Sequence, residues 1–66
     1  MEIFLEKDNK TINKEIKNPI KITELLKELN ITKESIIIVK NNNIALEDET
    51  IENTDNLKLL SVVSGG

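Results

Sequence analysis

Cysteine, histidine, arginine, tryptophan and tyrosine are all missing from this 66-residue chain, and phenylalanine and proline occur once each, as Phe4 and Pro19. Without cysteine there is neither a disulfide nor a thiolate metal site. Losing histidine as well removes the usual general base and the commonest imidazole ligand, so no metal is expected and catalysis by this chain alone is not expected either. With no arginine, lysine carries every positive side-chain charge and the bidentate phosphate fork is gone. A net charge of −3 adds to the case against nucleic acid as a partner. No apolar run approaches the roughly 20 residues that span a bilayer. No signal peptide is read ahead of the first apolar stretch, so the expected setting is cytoplasmic, without a membrane partner. The triplets Asn9-Lys10-Thr11 and Asn30-Ile31-Thr32 look like glycosylation acceptors but carry no weight in that setting.

A chain of this length makes one domain and buries only about 60% of its unfolded surface, which leaves no room for a deep substrate pocket. The two glycines stand together at the end, Gly65 and Gly66. They follow Leu57-Lys58-Leu59-Leu60-Ser61-Val62-Val63-Ser64, a run whose β-prone residues favour an extended strand. Ser64, Gly65 and Gly66 have little to bury, so a domain over residues 1–63 with a flexible tail over 64–66 is expected. Glycine lacks a Cβ, and a Gly-Gly end can thread a narrow channel with its carbonyl carbon unshielded. The terminal carboxylate, with an ordinary pKa of about 3.5, is ionised at neutral pH and needs activation before it is electrophilic. The tail is therefore read as the reactive part and the remainder as its handle.

Glu2 to Glu6 reads as a first strand, Asp8-Asn9-Lys10 as a turn, and Thr11 to Lys17 as a second strand with Ile12 and Ile16 on one parity. Asn18-Pro19 breaks the sheet, because proline cannot donate to a ladder. Ile22, Leu25, Leu26 and Leu29 recur at the spacing of one apolar helix face, which reads as core. Thr23 or Lys21 would open that helix and Asn30 would stop it. Ser35 to Lys40, with its β-branched run, reads as a strand covered at least partly on both faces. Asn41-Asn42-Asn43 makes a tight turn into a short edge strand, Ile44-Ala45-Leu46. Glu47-Asp48-Glu49 lacks the alternate spacing and glycine of a calcium loop; it reads as a solvated turn, with docking to a basic partner as the lesser reading. Thr54-Asp55-Asn56 turns into the last strand. If that strand lies beside the first, the two run parallel with the helix in their crossover.

This order resembles the ubiquitin-like β-grasp family, and within it the small sulfur-carrier proteins of thiazole (thiamin) biosynthesis, the ThiS type. Near relatives are the small subunit of molybdopterin synthase and archaeal ubiquitin-like modifiers. Met1-Glu2-Ile3-Phe4-Leu5, the helix Ile22 to Leu29, Ile38-Val39-Lys40-Asn41, Asp55 ahead of the last strand, and Val63-Ser64-Gly65-Gly66 carry the likeness, which covers essentially the whole chain. Asn42 replaces the usual glycine of the Asn-Gly turn and Thr54 the usual glycine before Asp55. The resemblance implies an α+β fold: a mixed four- to five-stranded sheet with one main helix across one face.

It also implies a carrier that is a co-substrate of partner enzymes. An E1-like adenylyltransferase would activate the Gly66 carboxylate with ATP and Mg²⁺, which belong to that partner, since nothing in this chain resembles a phosphate-cradling loop. A sulfur donor, of the cysteine desulfurase or rhodanese type, would convert the adenylate to a Gly66 thiocarboxylate. Thiazole synthase or another acceptor would take the sulfur. Gly65 and Ser64 would serve in threading the tail. Strand alternation places Phe4, Lys58, Leu60 and Val62 away from the core, with Val39 or Ile37 as further candidates, as a docking patch for the activating enzyme. The competing reading has these residues completing a second hydrophobic layer or scattered singly. Two other roles share the tail: a protein modifier joined to lysines by isopeptide bonds, and a noncovalent interaction module in which the glycines are a loose end.

Overall fold

The structure is a computed structural model of the chain and describes residues 1–62. The boundary expected between residues 63 and 64 lies outside them. Five strands form the main sheet in the order β2-β1-β7-β4-β5: β1 Glu2–Leu5, β2 Lys10–Asn13, β4 Ile36–Lys40, β5 Asn43–Ala45 and β7 Asn56–Ser61. The pair β1–β7 is parallel and its neighbours are antiparallel. First and last strands therefore lie side by side in the middle; given that adjacency they run parallel, as expected, and the helix α1, Ile22–Glu28, falls in the crossover between them.

One face of this sheet is sealed. Ile3, Ile38, Leu57 and Leu59 point inward from alternate strand positions and pack with Ile22, Leu25 and Leu26 of α1 in one buried cluster. Burying each such side chain contributes about 1.5–3 kcal/mol, which is how so short a helix persists. Leu29, the last member of the apolar stripe, is half-buried at the rim. No buried side-chain polar atom among the described residues lacks a partner.

The second strand stops at Asn13, short of the expected Lys17. Its partner has run out: Glu2 faces Asn13, and the Lys14 amide donates to the carbonyl of Met1, the first residue. Ile16, past the end of the strand and so outside its parity, is nevertheless buried, and the Asn53 side-chain oxygen accepts its N–H at 2.9 Å and pins the loop. Two short strands stand apart from the elements expected from the sequence: β3 Ile20–Lys21 pairs antiparallel with β6 Thr50–Ile51.

Lys21 occupies the N-cap of α1 without a side-chain bond, so the rival start is the right one. Thr23 donates instead, by its hydroxyl at 2.7 Å and its N–H at 2.9 Å, to the carbonyl of Glu47, while Ile22 N–H donates to Glu49 at 2.9 Å. The acidic turn thus satisfies two of the orphan N–H donors of the helix with its backbone. At the other end Asn30 adopts φ 60°, its N–H donates to Lys27 and that of Ile31 to Leu26, a Schellman stop closed by the half-buried Ile31.

Asn41 and Asn42 both have positive φ, 50° and 71°, which is the requirement of a type I′ hairpin turn. A two-residue turn fixes the register, so Lys40 faces Asn43, Val39 faces Ile44 and Ile38 faces Ala45. Among the described residues every left-handed position outside glycine is an asparagine, at 9, 30, 41 and 42. In a chain with no glycine before position 65, asparagine takes over that conformational role. No helix among the described residues is long and apolar enough to cross a membrane.

Candidate functional site: the open sheet face and the end of β7

Among the described residues, the face opposite α1 has no second layer over it. Register across the sheet sets Phe4 of β1 beside Lys58 of β7, Lys58 beside Val39 of β4, and Leu60 beside Ile37. Since side chains alternate, these five share the open face. Phe4, Val39 and Leu60 are half-buried by their neighbours, whereas Ile37 and Val62 are each 43% exposed. The candidate patch residues Phe4, Lys58 and Leu60 are therefore brought together in space, with Val62 two residues further along the chain. Lys58 is exposed in the middle of the apolar row, where its stem covers carbon and its ammonium stays in water.

Sequence reasoning missed Ile44 as a member of this face. It is 78% exposed, opposite Val39, while Ala45 is buried at 7%. In Ile44-Ala45-Leu46 apolarity alone would put the large residues inside; the tight turn forces the reverse, because a one-residue change of register exchanges the faces. Counting back from a two-residue turn was the signal available.

The side of the site nearer the tail is built at the end of β7. The Val62 N–H donates to the Ser35 carbonyl at 2.9 Å, continuing the β4 ladder. The Ser61 N–H donates to the Glu6 carboxylate Oε1 at 2.7 Å. A cleft of about 540 Å³ opens beside this point, lined by Leu5, Leu29, Ile31, Ile36, Leu59 and Val62 among others. Its charged lining is one lysine, Lys7, and one carboxylate, Asp8. Gly66, Gly65 and Ser64 lie outside the described residues.

At the opposite end of β7, Asn41 ties two turns together. Its Nδ2 donates to Asp55 Oδ1 at 2.9 Å and its Oδ1 accepts the Asn56 N–H at 2.9 Å. Asp55 Oδ2 accepts the Glu52 N–H at 2.7 Å. The Asn41 amide first, then the Glu52 N–H, holds the Asp55 carboxyl below its ordinary value of 3.8. The acidic turn disperses its charge: Glu47 pairs with Lys33 at 2.6 Å, Glu49 accepts the Leu46 N–H and approaches Lys40 at 3.6 Å. The hydrogen bond and charge of Glu47 raise the Lys33 pKa. Among the described residues no three acidic side chains gather where they would hold a metal ion.

A central parallel pair of first and last strands, one helix across the inner face and an open outer face define a ubiquitin-like β-grasp protein. The chain belongs to the ThiS family, the small ubiquitin-like sulfur carriers: the pattern of that family matches residues 3–66. Among solved structures, it is similar to the crystal structure of a thiamine biosynthesis protein, ThiS, from Geobacter metallireducens, at 20% identity over 100% of both chains with a TM-score of 0.66. It is also similar to the NMR solution structure of a thiamine biosynthesis protein from Geobacter metallireducens, at 18% identity over 100% of this chain and 88% of that one, with a TM-score of 0.59. Comparison with curated proteins gives no match. At these identities the solved structures establish the fold, and the family pattern establishes membership.

Proposed function

We propose that this chain carries sulfur as a thiocarboxylate on Gly66 for the biosynthesis of the thiamin thiazole. The observation that supports this most directly is the reach of the family match, which runs through the diglycine to Gly66 itself. An E1-like adenylyltransferase docks on the open face around Phe4, Lys58, Leu60 and Val62 and receives the tail, with Ser64 and Gly65 as its slender neck. The Gly66 carboxylate attacks the α-phosphorus of ATP, held with Mg²⁺ by the partner, and pyrophosphate leaves. The terminal sulfur of a persulfide on a cysteine desulfurase or rhodanese-type donor then attacks the acyl carbon and expels AMP. A second thiol of the partner cleaves the resulting acyl disulfide, leaving the thiocarboxylate on Gly66 and a disulfide on the partner. The resulting thiocarboxylate is the softer nucleophile, and thiazole synthase takes its sulfur. The chain contributes no acid, base or metal to these steps; it is their co-substrate in the cytoplasm.

Intact-mass measurement of the protein purified from its native cells tests the reading. A species in which one oxygen is replaced by sulfur is expected, and deletion of Gly66 is expected to abolish adenylation. Glycine remnants branched on lysines of other proteins, with no thiocarboxylate species, would transfer the chain to the modifiers. Unimpaired sulfur transfer by the chain lacking Gly66 would rule the mechanism out.

A further inference from the structure

We infer that Glu6 is a positioning residue for the tail: its carboxylate completes the end of β7 and fixes the direction in which the chain leaves the sheet at Val62. This rests on the carrier reading, and it starts from a mismatch in strand length. The β1–β7 pairing ends at Leu5 opposite Leu59. Beyond Leu5 the backbone turns away through a 3₁₀ turn, Glu6–Asp8, and Asn9 at φ 50° sends it back as β2. Strand β7 continues through Leu60 and Ser61 regardless.

Successive N–H groups of a strand point to its two neighbours in turn. Val62 donates to Ser35 on the β4 side, so the Ser61 N–H faces the side that β1 has vacated. Glu6 Oε1 takes the place of the missing carbonyl at 2.7 Å, from a residue 55 positions away in sequence. The bond is short and charge-assisted. Glu6 is exposed and stands outside the buried cluster, so nothing in the core depends on it.

The consequence falls on the tail. Four residues beyond Val62 reach at most ~14 Å when extended. A partner that captures so short a segment needs its base in a defined place. If β7 frays back past Ser61, the partner must reorder those residues on capture, a cost that falls on association rather than on the chemical step.

The test compares Glu6→Ala and Glu6→Gln with the parent protein in two measurements: amide hydrogen exchange at Ser61 by NMR, and steady-state adenylation by the E1-like adenylyltransferase of the same organism. In Glu6→Ala, exchange at Ser61 is expected to speed up about three- to tenfold, with the denaturation midpoint unchanged. The KM for the carrier is expected to rise by a similar factor, about three- to tenfold, with kcat within about twofold. Glu6→Gln keeps an acceptor oxygen and should recover most of both effects. Unchanged exchange at Ser61, or an unchanged KM in an adenylation assay that works for the parent protein, would overturn the inference. If the parent protein itself is not adenylated, the carrier reading falls instead, and the exchange data alone judge the hold of Glu6 on Ser61.

Discussion

The two faces of the same five strands are built from similar residues and meet opposite fates. On the inner face Ile3 and Leu57 are at 0% and 1% exposure beneath α1; on the outer face Ile37 and Ile44 remain at 43% and 78%. β-Branched and leucine side chains stand on both, so composition does not distinguish them. The single helix does, because it is large enough to cover one side only. Burial on the inner face supplies stability, and the uncovered apolar row on the outer face is free to supply recognition.

Substitutions on the two sides should separate these roles. The largest effect is expected from Leu25→Ala, where a fully buried side chain of α1 is truncated: a loss of about 2–5 kcal/mol by urea denaturation, out of a total of about 5–15 for a domain. A loss below about 1 kcal/mol would mean that the helix does not seal the core. Leu60→Glu on the outer face comes next. Its stability should change by no more than about 1 kcal/mol, while kcat/KM for adenylation falls about tenfold or more. A collapsed fold in this variant would show that the outer row is a second hydrophobic layer and would erase the distinction.

The rim of the sheet contributes less, and that contribution is lost in acid. Because the Asp55 carboxyl is held below 3.8 in the fold, its contribution is present above the unfolded value and is lost as pH falls through the folded one. Asp55→Asn should therefore lower the denaturation midpoint near neutrality and flatten its fall below pH ~4; an identical acid limb in both proteins would remove the assigned role. The smallest effect is expected at the exposed outer edge, where Ile44→Ser should stay within about ±0.5 kcal/mol of the parent protein. A larger loss would mean that Ile44 packs more than its exposure indicates.

Much of this arrangement was legible in the residues because local rules and the global fold agree. The helix stripe Ile22, Leu25, Leu26 and Leu29, the stop at Asn30 and the turn at Asn41 each carry a local signal, and the structure places an element at each. The parity of β1 and β7 alone sets Phe4, Lys58 and Leu60 on one face. What escaped were features decided by distant partners. The length of β2 is limited by where β1 begins, and the start of α1 is capped by Glu47 and Glu49, more than 20 residues away in the chain. The pair β3–β6 has only two residues on each side and no periodicity to detect. The bond from Ser61 to Glu6 joins opposite ends of the sequence and depends on one strand outrunning another, which no local pattern encodes.

The amino terminus is itself part of the architecture. The Met1 ammonium donates to the Lys14 carbonyl at 3.0 Å and to Asn53 Oδ1 at 3.3 Å, the same oxygen that pins Ile16. With Met1 fastened into the sheet and Gly66 the proposed site of chemistry, neither is a neutral place to attach a fluorophore or affinity handle. The exposed bend at Lys17, Asn18 and Pro19 is the better site for such a label, since it interrupts no strand and faces water.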